Sequence, residues 1–257
     1  MSLRQGNRSL RHNDIDILVK WRGKLPHPDV RDGRALSEVT MNQSCRLSGP
    51  YYYMFRDVAR SPADRMWLEK EGLRYDITVI PPGELCGEFV KTLGHFHPNA
   101  PDGHGYPEVY EVLSGEAHYL IQERFLSSVA LITARENDIV IIPPGYGHVT
   151  INPSRNSVLQ MANIVSSRFE SEYYPYQQKR GAAYYEITDR TFVKNSLYPQ
   201  IPDLVICSAD HTGTSHAAFK SSLYQLIAAH DPVLGFLNNP GRFPFLFQKA
   251  LKSKTAL

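Results

Sequence analysis

Cysteine is scarce: Cys45, Cys86 and Cys207 are the only three in 257 residues, they lie far apart, and no Cys-x-x-Cys occurs. That argues against both a disulfide framework and a thiolate zinc site, and favours a reducing, cytoplasmic setting. Charge of one sign is missing as well. Basic and acidic residues interleave to a formal net charge of +2, leaving no block that would track a nucleic-acid backbone or an anionic membrane, so neither is an expected partner. No apolar run approaches the ~20 residues of a membrane span, and "MSLRQGNRSLRHNDIDILVKWRGK" at the start carries charge without the apolar stretch of a signal peptide. Internal repeats and low-complexity tracts are absent. What the chain does hold is 42% hydrophobic and 11% aromatic residues, enough to bury a sizeable core.

The apolar residues are unevenly organised. Residues 1–70 are mixed and read as an N-terminal arm with flanking elements, in which "SPADRMWLEKEG" has helix punctuation: Ser61 to cap, Pro62 in the first turn, Gly72 to stop. Residues 71–190 change period. Short β-rich runs such as "YDITVI", "GEFVKTL", "EVYEVL", "EAHYLIQ", "SVALIT", "DIVIIP", "HVTIN" and "SVLQMANIV" are separated by turn signals such as "PPGE", "SGE" and "PPGYG". That density of strands predicts an all-β barrel or sandwich. In residues 191–257, an extension, "TSHAAFKSSLYQLIAAH" places Ala217, Leu223, Leu226 and Ile227 at helical intervals behind a Thr/Ser cap.

Chemistry concentrates in "TLGHFHPNAPDGHGYPEVYEV", Thr92 to Val112. Side chains alternate along a strand, so His95 and His97 share a face while Phe96 takes the other. Glu108 opens the next strand, and His148 follows the turn "PPGYG". Strand starts at one end of a small barrel converge, and three imidazoles with one carboxylate suit one divalent ion, Fe(II) first, with Mn(II), Ni(II) or Zn(II) as alternatives. A lone His-x-His arises often by chance, and a lone strand Glu usually faces solvent; their combination with the turn before His148 is far rarer. His104 and His118 lack ligand spacing and read as surface or packing residues.

"GHFH" followed by "YPEVYEVLSGEAHYLIQ" and "IPPGYGH", with "YDITVIPPGELCGEFVKTL" upstream, resembles the cupin-type glucose-6-phosphate isomerases. The resemblance implies a double-stranded β-helix (cupin) barrel, His95, His97, Glu108 and His148 as metal ligands, and usually a homodimer. It also implies a phosphorylated hexose as substrate, interconverted between glucose 6-phosphate and fructose 6-phosphate in glycolysis and gluconeogenesis. Glu108 is the implied base, Tyr110 a donor to a sugar oxygen, and Tyr53, Thr78, Thr92 and the Gly94 N–H surround the phosphate, which would sit on neutral donors rather than arginines. Strict alternation sends Thr92 away from His95's face, so this assignment requires a bulge that Gly94 could supply. Near the last barrel strand, where the family carries a tyrosine and a histidine, this chain offers Tyr173 or Tyr174 and no histidine. A cupin dioxygenase, an isomerase of another sugar and a non-catalytic sugar-binding cupin are the alternatives.

Overall fold

The computed structural model describes residues 19–209 and 217–247. In chain order the strands are β1 (Asp29–Asp32), β2 (Pro50–Phe55), β3 (Leu73–Ile80), β4 (Glu84–Leu85), β5 (Glu88–Lys91), β6 (Glu108–Ser114), β7 (Glu116–Glu123), β8 (Val129–Arg135), β9 (Ile139–Ile142), β10 (Tyr146–Asn152), β11 (Leu159–Ser166), β12 (Tyr184–Glu186), β13 (Phe192–Lys194) and β14 (Leu204–Ser208). The helices are α1 (Gly33–Leu36), α2 (Pro62–Glu71), α3 (Tyr174–Gln178) and α4 (Leu223–Ala228). Two six-stranded sheets form, ordered β1-β2-β3-β11-β6-β9 and β14-β8-β7-β10-β5-β4. Consecutive strands such as β6 and β7 or β10 and β11 fall in different sheets, which winds the chain back and forth as the all-β, cupin-type double-stranded β-helix requires.

Both faces of the first sheet are covered. Outward residues of β3, β6 and β11, among them Ile77, Val109 and Ile164, pack with Leu223, Leu226, Ile227 and Phe236 of the C-terminal segment. Inward residues Tyr110 and Val112 meet Tyr119, Ile121 and Ile132 of the second sheet. Cover on both sides explains why these strands read as continuous apolar runs. Helix α2 starts where Ser61 Oγ accepts from Asp64 N at 3.1 Å and stops at Gly72 in the left-handed region. The C-terminal helix is divided: Ala217–Lys220 forms a 3-10 turn and α4 follows. The expected Thr/Ser cap lies outside the described residues. No helix among the described residues is long and apolar enough to cross a membrane.

Two sequence expectations change. The sheets reach past residues 71–190, because β1 and β2 come from the presumed arm and β14, from the presumed extension, pairs in parallel with β8. Sheet edges expose unpaired backbone groups that a short strand of almost any composition can satisfy. Second, Cys45 and Cys86 form a disulfide, with Cα atoms 6.0 Å apart. The loop before β2 folds back on the β4–β5 turn, a proximity that sequence spacing does not encode, and the pairing removes the argument that cysteine usage made for a reducing compartment. Cys207 is free.

Candidate metal centre

β5 runs into Thr92 and on to His97 beside β10. Ile151 pairs with Lys91, and Thr92 N donates to Thr150 O at 2.8 Å, whereas His95 pairs with His148. The register therefore gains one residue between Thr92 and His95. Gly94, at φ 78°, absorbs it; a Cβ there would stand 2.5 Å from Val149 Cγ2 and 2.8 Å from the Tyr176 ring. This bulge brings Thr92 and His95 to one cavity.

His95, His97, Glu108 and His148 converge there, with one ligand atom from each within 4.8 Å of every other. His95 Nε2 and His97 Nε2 are 3.1 Å apart, and Glu108 Oε2 lies 3.4 Å from His97 Nε2 and 3.3 Å from His148 Nε2. The His97 Nδ1–H donates to Tyr106 O at 2.9 Å, which directs the Nε2 lone pair inward. Burial holds the pKa of His97 down to about 4, against an opposing pull from Glu108, and holds that of His95 well below the ordinary value. Both imidazoles are therefore neutral ligands at neutral pH. Burial alone would raise the Glu108 carboxyl, yet the facing His148 and His97 and the Tyr110 hydroxyl outweigh it and lower its pKa. Glu108 Oε2 is buried without a hydrogen-bond partner. An orphaned carboxylate oxygen facing imidazole nitrogens fits a divalent cation, and the mixed N/O set suits Fe(II), Mn(II), Ni(II) or Zn(II).

The cavity is small, about 50 Å³. Thr78, Thr92, Gly94 and Tyr110 line it. The Tyr110 hydroxyl is 2.9 Å from His148 Nε2, and burial, then Glu108, raises its pKa far above the ordinary value, so it stays a protonated donor. Tyr53 does not reach the cavity. It pairs with Val79 and packs in the outward cluster, while Tyr52 lines the cavity and accepts from Leu93 N at 3.3 Å. Three consecutive tyrosines hid which parity faces inward; a one-residue shift exchanges the faces. Tyr173 is the tyrosine that reaches the site, its ring 5.3 Å from that of His95, while Tyr174 is exposed. His104 is exposed beside Asp102, and His118 is buried against Glu186 at 2.9 Å, neither in the cluster.

Sequence reasoning missed Asn163, Arg56 and Arg74, which also line the cavity. Asn163 Nδ2 donates to Glu108 Oε1 at 2.7 Å, which leaves Oε2 to the histidines. An amide inside the apolar run "LQMANIV" was the available signal. Asn163→Leu should keep the fold and weaken metal binding by about 10–100-fold, the usual effect of removing a group that orients a ligand. Competition with a metallochromic chelator measures it, and unchanged affinity would remove Asn163 from that role.

Residues 28–202 match the sequence profile of the family described as glucose-6-phosphate isomerase (GPI). The chain belongs to this family. Among glucose-6-phosphate isomerases, that of Thermococcus litoralis is 36% identical over 85 residues, 33% of this chain and 42% of the relative. That of Pyrococcus horikoshii is 35% identical over 121 residues, 47% of this chain and 58% of the relative. The chain thus spans about half the length of the curated relatives it matches. Among solved structures, vicilin from Corylus avellana overlaps with a TM-score of 0.36 at 16% identity, covering 56% of this chain and 33% of that one. A Cupin_2 domain of an XRE family transcriptional regulator from Enterobacter cloacae overlaps with a TM-score of 0.31 at 15% identity, covering 44% and 94%.

Proposed function

We propose that the protein is a metal-dependent aldose–ketose isomerase that interconverts glucose 6-phosphate and fructose 6-phosphate, working as a homodimer with Fe(II) as the leading metal. The observation that carries this reading is the convergence of three imidazoles and the orphaned Glu108 oxygen on one cavity, in a chain of this family. His95, His97, Glu108 and His148 would hold the ion, which supplies polarisation of the substrate carbonyl. Glu108 would carry the proton between C1 and C2, its ionised form favoured by the lowered pKa, and Tyr110 would donate to a sugar oxygen. Thr78, Thr92 and the Gly94 N–H line the same cavity and are the proposed neutral phosphate donors.

The test is a coupled assay on fructose 6-phosphate, after chelation and then with each divalent metal restored. Glucose 6-phosphate formation should fall to background on chelation and return with Fe(II) or a close substitute. Oxygen uptake without sugar isomerisation would make the protein a dioxygenase; tight sugar binding without turnover in any metal would make it a binding module.

A further inference from the structure

Arg124, the first residue after β7, lies outside the cavity and ties together the segments that surround it. Alternation along the strand turns Phe96 away from the face that His95 and His97 share, and the Arg124 guanidinium lies over the Phe96 ring, 4.6 Å from its centroid. Gly147, just before His148, packs against the same ring. A Cβ there would stand 2.7 Å from it, so the close approach requires glycine. Arg124 Nη2 donates to His97 O at 3.0 Å and to Glu172 Oε2 at 2.7 Å, and Arg124 N donates to Gly145 O at 3.1 Å.

Each of these contacts fixes a different part of the metal centre. His97 is held twice: its Nδ1–H by Tyr106 O at 2.9 Å, and its backbone carbonyl by Arg124, so both the ring's rotation and its origin are set. Gly145 belongs to the turn "PPGYG" that delivers His148. Glu172 lies between β11 and α3, in a segment that exchanges two backbone hydrogen bonds with Phe96, at 3.1 and 2.9 Å. That segment places the Phe169 ring 4.5 Å from the His97 ring and the Tyr173 ring 5.3 Å from the His95 ring. The Arg124–Glu172 pair is 35% and 40% exposed, so its charge attraction is screened and weak. The bond to His97 O and the planar contact with Phe96 therefore carry most of the positioning.

We infer that Arg124 is a positioning residue of the metal centre, acting through the His97 carbonyl, the Phe96 ring and the turn before His148 to hold the imidazoles at ligand geometry. The inference rests on the metal-centre reading and is independent of the sugar isomerised.

The experiment is titration of the metal-freed full chain with Co(II), whose visible absorption reports ligand geometry, for the parent, Arg124→Gln and Arg124→Lys, with circular dichroism and thermal melting alongside. Arg124→Gln should bind Co(II) about 10–100-fold more weakly, the usual effect of removing a group that orients a ligand, and its Co(II) absorption should change in position or intensity. Its fold should survive, because Phe96 keeps its packing against Gly147 and Tyr176. Arg124→Lys keeps the charge and a donor for His97 O but loses the planar contact, so it should fall between. Parental Co(II) affinity and absorption in Arg124→Gln would overturn the inference and leave the metal centre standing. Equal losses in the Gln and Lys variants, matched by equal falls in melting temperature, would overturn it too, since Arg124 would then serve stability alone. A parent that binds no divalent ion would defeat the metal-centre reading and the inference with it. Arginine-dependent Co(II) binding in a protein that isomerises neither hexose phosphate would sustain the inference and defeat the isomerase reading.

Discussion

Glu108→Gln should lower kcat by roughly two to four orders of magnitude at saturating metal, the usual contribution of a positioned general base. Gln keeps the shape and one oxygen but cannot accept a proton at neutral pH. The cavity adds a second consequence. Asn163 donates to Oε1 of residue 108, so an amide there would accept that bond with its oxygen and turn its NH₂ toward His97 and His148. Metal affinity should therefore fall as well, and the two effects must be separated by assaying with metal in excess. If turnover recovers fully under that condition, Glu108 is a ligand and no more. Solvent deuterium gives an independent reading: label entering C2 during turnover supports proton transfer. Complete retention of the C2 hydrogen, together with a Gln variant near parental speed, would leave a hydride shift or Tyr110 to explain the chemistry.

The second large effect is expected at the imidazoles. His97→Ala and His148→Ala should each lose most bound metal and nearly all turnover while far-ultraviolet circular dichroism stays that of the parent. His97 and His148 face the cavity, whereas the apolar clusters that hold the sheets together are built from Tyr119, Ile121, Ile132, Ile77, Ile164 and their neighbours. Both histidines are nearly fully buried, so the alanine variants leave a hole, but one that adds to an existing cavity rather than to a closed apolar core. Metal analysis beside circular dichroism reads both halves. Full metal occupancy in both variants would show that the cluster does not hold the ion.

How much was legible in sequence differs residue by residue. His-x-His on one strand needs only the two-residue period to place both rings on one face, and "PPGYGH" announces a turn delivering a third imidazole, so the candidate ligand set could be read locally. The Thr92 problem was also posed by sequence, since alternation demanded a bulge and only one glycine stood in the right place; its left-handed φ and the added residue in the β10 register answer it. Tyr53 shows the opposite case. In "PYYYMF" every parity looks alike, and pairing of Met54 with Thr78 was needed to turn Tyr52, Met54 and Arg56 inward and Tyr53 out.

The sequence by itself thus determined the all-β class, the α2 boundaries and the four metal-ligand candidates, because each depends on periodicity, capping or turn chemistry within a few residues. Tertiary structure decided which distant strands close the sheets, that Cys45 meets Cys86, and that Asn163, Arg56 and Arg74 border the same cavity as Glu108. Those contacts join residues from strands far apart in the chain, and the energy that selects them comes from burying both faces of the sheets, a property of the whole molecule that no short stretch encodes.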